Sequence, residues 1–282
     1  MSRQSLYRQP GAPLALVAFA ANSVLARLAL GGDAIGPGGY TAIRIASGAA
    51  ALWLISRVAQ AQEARSQAAG DWTGALLLVG YALPFSLAYL ELSTGVGALI
   101  LFATVQATMI AAGLLAGERP TTRVWAGFAI AMAGLVGLVM PGLGRASPSG
   151  ALLMTVAGVA WGAYSLRGRR GTSPLPDTAG NFLRATPVVL PALLIPGEFQ
   201  PGPTAAGIGW AVASGALASG VGYAVWYDAL PRLSATRAAT LQLAVPVMAG
   251  WAGVVILGEE VTWRLVLAGG AILGGVALAR DR

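Results

Sequence analysis

Apolar runs separated by short polar stretches recur from one end of the chain to the other. A helix of about twenty apolar residues crosses the hydrocarbon core of a bilayer. Ten such spans are predicted: Ala12–Leu30, Gly39–Ile55, Trp72–Leu90, Val96–Leu115, Val124–Val139, Gly150–Leu166, Thr178–Ile195, Ala205–Trp226, Ala238–Leu257 and Trp263–Ala279. The seventh is the weakest, because it carries Pro187 and Pro191 and ends at Pro196. The links between spans hold turn chemistry, as in GGDAIGPGG, MPGLGRASPSG and GTSPLPD. The longest, SRVAQAQEARSQAAGD, reads as an amphiphilic helix. The pattern therefore predicts an all-α integral membrane protein with ten transmembrane helices and no soluble domain.

Composition agrees. The 282 residues are 56% hydrophobic and only 10% charged, with a mean hydropathy of +0.69. A soluble domain is about one quarter charged, so the surplus apolar surface must face lipid. The 39 glycines suit helices that pack closely within a bilayer. Cysteine, histidine and lysine are all absent. That excludes disulfides, thiolate nucleophiles and imidazole as base or metal ligand, so no metal or cofactor is expected. The net charge of +7 comes from arginines scattered among the spans, which argues against a nucleic-acid partner. It reports topology instead, since basic residues stay on the cytoplasmic side. With the N-terminus inside, 13 arginines fall on inner segments and only Arg145 and Arg264 on outer loops. Both termini are then cytoplasmic, and the first apolar run is a membrane helix rather than a cleaved signal.

Two segments of the chain correspond. LSTGVGALILFATVQATMIAAGLLAGERPTTRVWAGFAIAMAG, from Leu92, matches LSATRAATLQLAVPVMAGWAGVVILGEEVTWRLVLAGGAILGG, from Leu233, at a constant offset. Leu92 pairs with Leu233, Ser93 with Ser234, Gly117 with Gly258, Glu118 with Glu259, Arg123 with Arg264 and Gly134 with Gly275. Earlier in each half, AIRIAS and FLRATP align Arg44 with Arg184. An odd number of spans per half makes the second insert upside down. Two inverted five-helix repeats follow, residues 1–145 and 146–282, an arrangement that in secondary transporters places the substrate near the midplane. Glu118 and Glu259, at the ends of the fourth and ninth spans, are expected in a turn and interface role at the membrane surface.

The segment YDALPRLSATRAATLQLAVPVMAGWAGVVILGEEVTWRLVLAGGAILGGVALA resembles the second repeat of the EamA-type transporters of the drug/metabolite transporter superfamily. The resemblance rests on Leu233-Ser234, Pro246, Gly258-Glu259 and the glycines near Gly274, and both repeats are present. Within the superfamily the chain most resembles the YddG-like aromatic amino acid exporters. The resemblance implies a carrier in a bacterial inner membrane, working as a monomer, that exports aromatic and other neutral amino acids by alternating access. The alternative is an exporter of other small metabolites or drugs with the same fold. A membrane enzyme is disfavoured, because no Cys, His, Lys or mid-span carboxylate is present. A channel is disfavoured for want of a ring of charges or carbonyls.

Candidate substrate contacts are polar or aromatic groups away from the span ends. Asn22, Gln106 and Gln242 offer amide donors and acceptors. Tyr81, Trp161, Tyr164 and Tyr223 offer rings suited to a cyclic or apolar side chain. Pro84 and Pro246 are expected to break the third and ninth spans and free backbone carbonyls, which membranes tolerate only against protein or a water-filled cavity. The cavity is expected between spans one, three, four, six, eight and nine, with the fifth and tenth peripheral. Competing readings apply to each group. The amides also suit helix–helix hydrogen bonds. Tyr89, Trp226 and Tyr227, near span ends, suit an interfacial belt. Arg44 and Arg184 are expected to snorkel or pair at the interface rather than touch substrate.

Overall fold

A computed structural model describes residues 11–30, 32–60, 70–92, 94–140, 147–169, 174–195, 202–257 and 261–279. Among the described residues the chain is helical, without strands. The α-helices are α1 (Gly11–Leu30), α2 (Pro37–Gln60), α3 (Trp72–Glu91), α4 (Thr94–Leu115), α5 (Thr122–Val139), α6 (Pro148–Gly168), α7 (Pro174–Val189), α8 (Ala205–Ala213), α9 (Gly222–Ala229), α10 (Ala235–Gln242), α11 (Ala244–Leu257) and α12 (Trp263–Leu278). Six helical stretches are long and apolar enough to cross a membrane: Gly11–Leu30, Pro37–Val58, Trp72–Glu91, Pro148–Gly168, Ala205–Arg232 and Ala235–Ile256. Shorter apolar helices cover Ile100–Leu115, Thr122–Gly137 and Trp263–Leu278. The chain is a multi-pass membrane protein.

Polar side chains set the helix starts. Asp71, Thr121, Ser147, Thr204, Ser234 and Thr262 each accept a hydrogen bond from the backbone N–H three residues on. This satisfies one of the donors that every helix start leaves unpaired. Such caps matter more at a membrane surface than in water, because unpaired backbone groups near lipid are costly.

The packing is regular. α3 lies on α6 as α9 lies on α1, and α4 lies on α6 as α11 lies on α1. α5 and α12 pair with each other at the margin of the bundle. Small residues let their backbones meet: a Cβ added at Gly127 would lie 2.4 Å from the Gly275 carbonyl oxygen, and one at Gly275 would lie 2.4 Å from the Gly127 carbonyl oxygen. The outward faces are apolar, with Leu54, Val255, Leu267 and Ile130 all exposed, as a lipid-facing surface requires.

The two helix breaks expected at proline differ. α3 runs unbroken through Pro84. Proline removes one hydrogen bond, and packing against α6 and α7 holds the remaining turns in register. The break associated with Pro246 lies three residues earlier, at Leu243 between α10 and α11. The eighth predicted span is interrupted in a way its sequence did not signal. Ser214–Val221 forms a π-helix between α8 and α9, and such local widening is common at functional sites. It presses on α2, where a Cβ at Gly215 would lie 2.1 Å from the Arg44 carbonyl oxygen. Glu259 and its neighbour Gly258, Ser93, Arg3, Arg8, Arg145 and the boundary between 145 and 146 lie outside the described residues.

Candidate functional site

The six helical rods expected to surround a cavity do surround one. Phe19, Asn22 and Ser23 come from α1, Tyr81 and Phe85 from α3, Leu101 and Phe102 from α4, and Trp161 from α6. Tyr223 comes from α9, Gln242 from α10 and Val245 from α11. The cavity among them has a volume of about 30 Å³. The space is thus narrow, and a solute larger than water must part the side chains.

Aromatic rings make up much of its wall. Trp161 lies 5.0 Å from Tyr81, 4.9 Å from Tyr223 and 5.5 Å from Phe19, centroid to centroid. Rings in such tilted and edge contacts support each other beyond simple burial. The tryptophan is fixed further by a hydrogen bond of 2.7 Å from its Nε1–H to Oε1 of Gln242. The Gln242 amide nitrogen donates to the Ala238 carbonyl at 3.3 Å, one turn back along α10. Gln242 therefore holds the indole in place as much as it faces the cavity.

Gln106 does not line the cavity. Its Nε2–H donates to the carbonyl of Ala239. Leu243, beside the helix break, donates its own N–H to Thr240 rather than to Ala239. The first half of the chain thus supplies the partner for a carbonyl that the break in the second half sets free. Pro84, Tyr164 and Pro246 also stand apart from the lining. The Tyr164 hydroxyl accepts from Asn181 at 3.3 Å, and its ring packs on Tyr227.

Behind the rings lies a polar layer with a cation in it. Arg44 is 1% exposed, which overturns the expectation that it snorkels to the interface. The wide π-helix gives it room and a partner, since its Nε–H donates to Ser219 Oγ at 3.0 Å. Nη2 donates to the hydroxyls of Tyr223 at 3.2 Å and Tyr81 at 3.4 Å, both of which line the cavity. Nη1 is buried and has no hydrogen-bond partner. The guanidinium also lies over the rings of Tyr81 and Phe85 at 5.4 and 5.8 Å, a cation–π arrangement. Nearby, Ser214 donates to Oδ1 of the cavity residue Asn22 and bonds Tyr40 at 2.8 Å. Trp226 and Tyr227, expected in an interfacial belt, are buried as well.

Phe19, Phe85 and Phe102 were not singled out from sequence, because a phenylalanine in an apolar span looks the same whether it faces lipid or a cavity. Ser214 and Ser219 were missed because small hydroxyl residues among glycines read as packing residues. Only the alignment of Arg44 with Arg184 marked α2 as unusual.

Residues 148–280 match the model of the EamA-like transporter family. The chain is 47% identical over 265 residues to uncharacterized protein PA1977 of Pseudomonas aeruginosa, covering 94% of this chain and 91% of that protein. This chain carries an EamA-like transporter domain. It is a membrane transporter of that type. This EamA-like transporter is also 28% identical over 200 residues to an uncharacterized transporter of Archaeoglobus fulgidus, covering 70% of this chain and 71% of that one. It is 30% identical over 125 residues to the uncharacterized inner membrane transporter YedA of Escherichia coli, covering 44% of this chain and 40% of YedA. A solved crystal structure, described only as that of a protein, superposes with a TM-score of 0.78 at 23% identity, covering 96% and 98% of the two chains. That likeness extends to the fold.

Proposed function

We propose that this transporter exports aromatic and other neutral amino acids across a bacterial inner membrane, by alternating access of two inverted five-helix repeats. The observation that carries the reading is the cavity wall. It combines Trp161, Tyr81, Tyr223, Phe19 and Phe85 with the amides of Asn22 and Gln242. A ring-bearing amino acid asks for that mixture: flat apolar surface for the side chain and hydrogen-bonding groups for the polar end. The packing supports the repeats, residues 1–145 and 146–282. Each contact of one half with α6 has a counterpart from the other half with α1, as a two-fold axis in the membrane plane produces. The arginine bias supports a cytoplasmic location for both termini, and a monomer is supported by a cavity wall drawn from a single chain.

Flux into liposomes carrying the purified protein tests the reading. Labelled phenylalanine and tryptophan should enter saturably and exchange with unlabelled amino acid on the opposite side. Uptake no faster than in empty liposomes for every amino acid tried would remove the proposal and leave other small metabolites as the cargo.

A further inference from the structure

Arg44 is a buried cation without an anion. Its hydrogen bonds go to Ser219, Tyr81 and Tyr223, all neutral, and among the described residues it forms no ion pair. The acids of the described residues are Asp33, Asp71, Glu91, Glu118, Asp177 and Asp228, each in a turn or at a helix end. The bonds from Nη2 are longer than the usual 2.7–2.9 Å or so of a charged donor with an anion, and Nη1 has no partner. A charge held this way costs folding energy, because burial removes its hydration and nothing of opposite sign replaces it. Carrier sites keep such groups when the cargo brings the compensating charge.

We propose that Arg44, together with the hydroxyls of Tyr81 and Tyr223, forms the subsite for an oxyanion of the cargo, the carboxylate if the cargo is an amino acid. The amino acid version rests on the function proposed above; the oxyanion site does not. Both phenol oxygens accept from the guanidinium, the two hydroxyls lie against each other, so that an entering oxyanion can take the O–H of each in place of that mutual contact, and both rings line the cavity. A hydroxyl that accepts from a cation becomes a stronger donor. An oxyanion between the two phenols therefore meets two polarised donors with a positive charge behind them. The unused Nη1 gives the guanidinium capacity for a direct, two-pronged contact if the tyrosines part. With the anionic end placed there, the apolar end of the cargo lies against Trp161 and Phe19.

Equilibrium binding to the purified full-length protein in detergent tests this, with five probes: phenylalanine, its amide, phenethylamine, phenylacetate and phenyl phosphate. Wild type should bind the acid about tenfold or more tightly than the amide, the cost of losing a charge-assisted contact. Arg44→Gln should erase that preference and leave phenethylamine binding unchanged, and Arg44→Lys should restore part of it. Ligand-free Arg44→Gln should melt no lower than wild type, since it removes an uncompensated charge; a purely structural arginine would give a lower Tm. Equal binding of acid and amide by wild type overturns the site while leaving amino acid transport intact. Arg44-dependent binding of phenylacetate or phenyl phosphate without binding of phenylalanine keeps the site, removes the amino acid reading, and separates carboxylate from phosphate cargo. Failure of every oxyanion probe to bind overturns the site. If Arg44→Gln does not fold, the wild-type acid–amide comparison decides alone.

Discussion

Gln242 shows how one side chain can both line a cavity and fix its wall. Its Oε1 is the acceptor for the buried Trp161 indole, and its nitrogen returns to its own helix. Gln242→Leu keeps the volume but strands the indole N–H. A buried donor left without a partner costs roughly 1–3 kcal/mol, and the indole would turn to find another. Flux should fall about tenfold or more in Gln242→Leu, with a shifted tryptophan emission and normal yield of folded protein. Unchanged flux and emission would mean that the hydrogen bond does not set the ring. Gln106 acts at the same scale but for the fold: its amide meets the Ala239 carbonyl beside the helix break. Gln106→Leu should therefore lower Tm more than it lowers affinity in the protein that remains folded, a contrast with Gln242→Leu that thermal melts and binding assays can read.

At the scale of elements, Glu118 ties the end of α4 to the start of α10. Its carboxylate accepts from the backbone N–H of Ala235 at 2.8 Å and of Thr236 at 3.3 Å, and from the Thr236 hydroxyl at 3.1 Å. Arg169, at the end of α6, lies 3.3 Å away. The surface turn-and-interface role expected of Glu118 is thus a specific one: it caps a helix of the opposite half. Burial works against its charge, but these donors and the Arg169 guanidinium outweigh burial and hold the carboxyl below its ordinary value. A depressed carboxylate contributes in full above its unfolded pKa of about 4.3 and is lost as pH falls through the lower folded value. Thermal stability should therefore show no loss from this group from neutrality down to about pH 5, and decline only in stronger acid. Glu118→Ala should cost about 1 kcal/mol, a typical cap, while Glu118→Gln, which keeps an acceptor, should recover much of it. A Tm of Glu118→Ala equal to wild type would show that the cap contributes nothing.

For the whole molecule, the question is what drives transport. The described acids sit at helix ends and in turns, and the chain has no histidine. A proton-coupled carrier needs a group that titrates while exposed to each side in turn, and buried carboxylates and histidines serve because their pKa values move into the working range. Facilitated diffusion or exchange is therefore predicted. In liposomes with equal pH inside and out and no membrane potential, cargo should move down its own gradient. Movement only after a pH difference is imposed would refute this. A zwitterionic amino acid adds no net charge, so a site built on Arg44 keeps the same single positive charge loaded and empty. Counterflow and net efflux of a neutral amino acid should therefore respond alike to membrane potential, whereas a cargo that is a net anion would make net efflux the more sensitive of the two.

Sequence by itself determined the helical membrane architecture, the correspondence between halves and several wall residues of the cavity. Long apolar runs cannot be soluble, and a mid-span amide or tyrosine must find a partner away from lipid; those inferences need only local information. Asn22, Tyr81, Trp161, Tyr223 and Gln242 were legible for that reason. Other features depended on how each helix is rotated about its axis and how closely its neighbours approach. In spans apolar on every side, nothing in the residue order marks the inward face, so Phe19 and Phe85 could not be told from lipid-facing residues. The π-helix at Ser214–Val221 turns Ser219 toward Arg44, and glycine at 215 lets α2 come close enough for that contact. Whether Arg44 reaches the interface or stays beside two cavity tyrosines was decided by that packing between distant segments, which only the tertiary structure supplies.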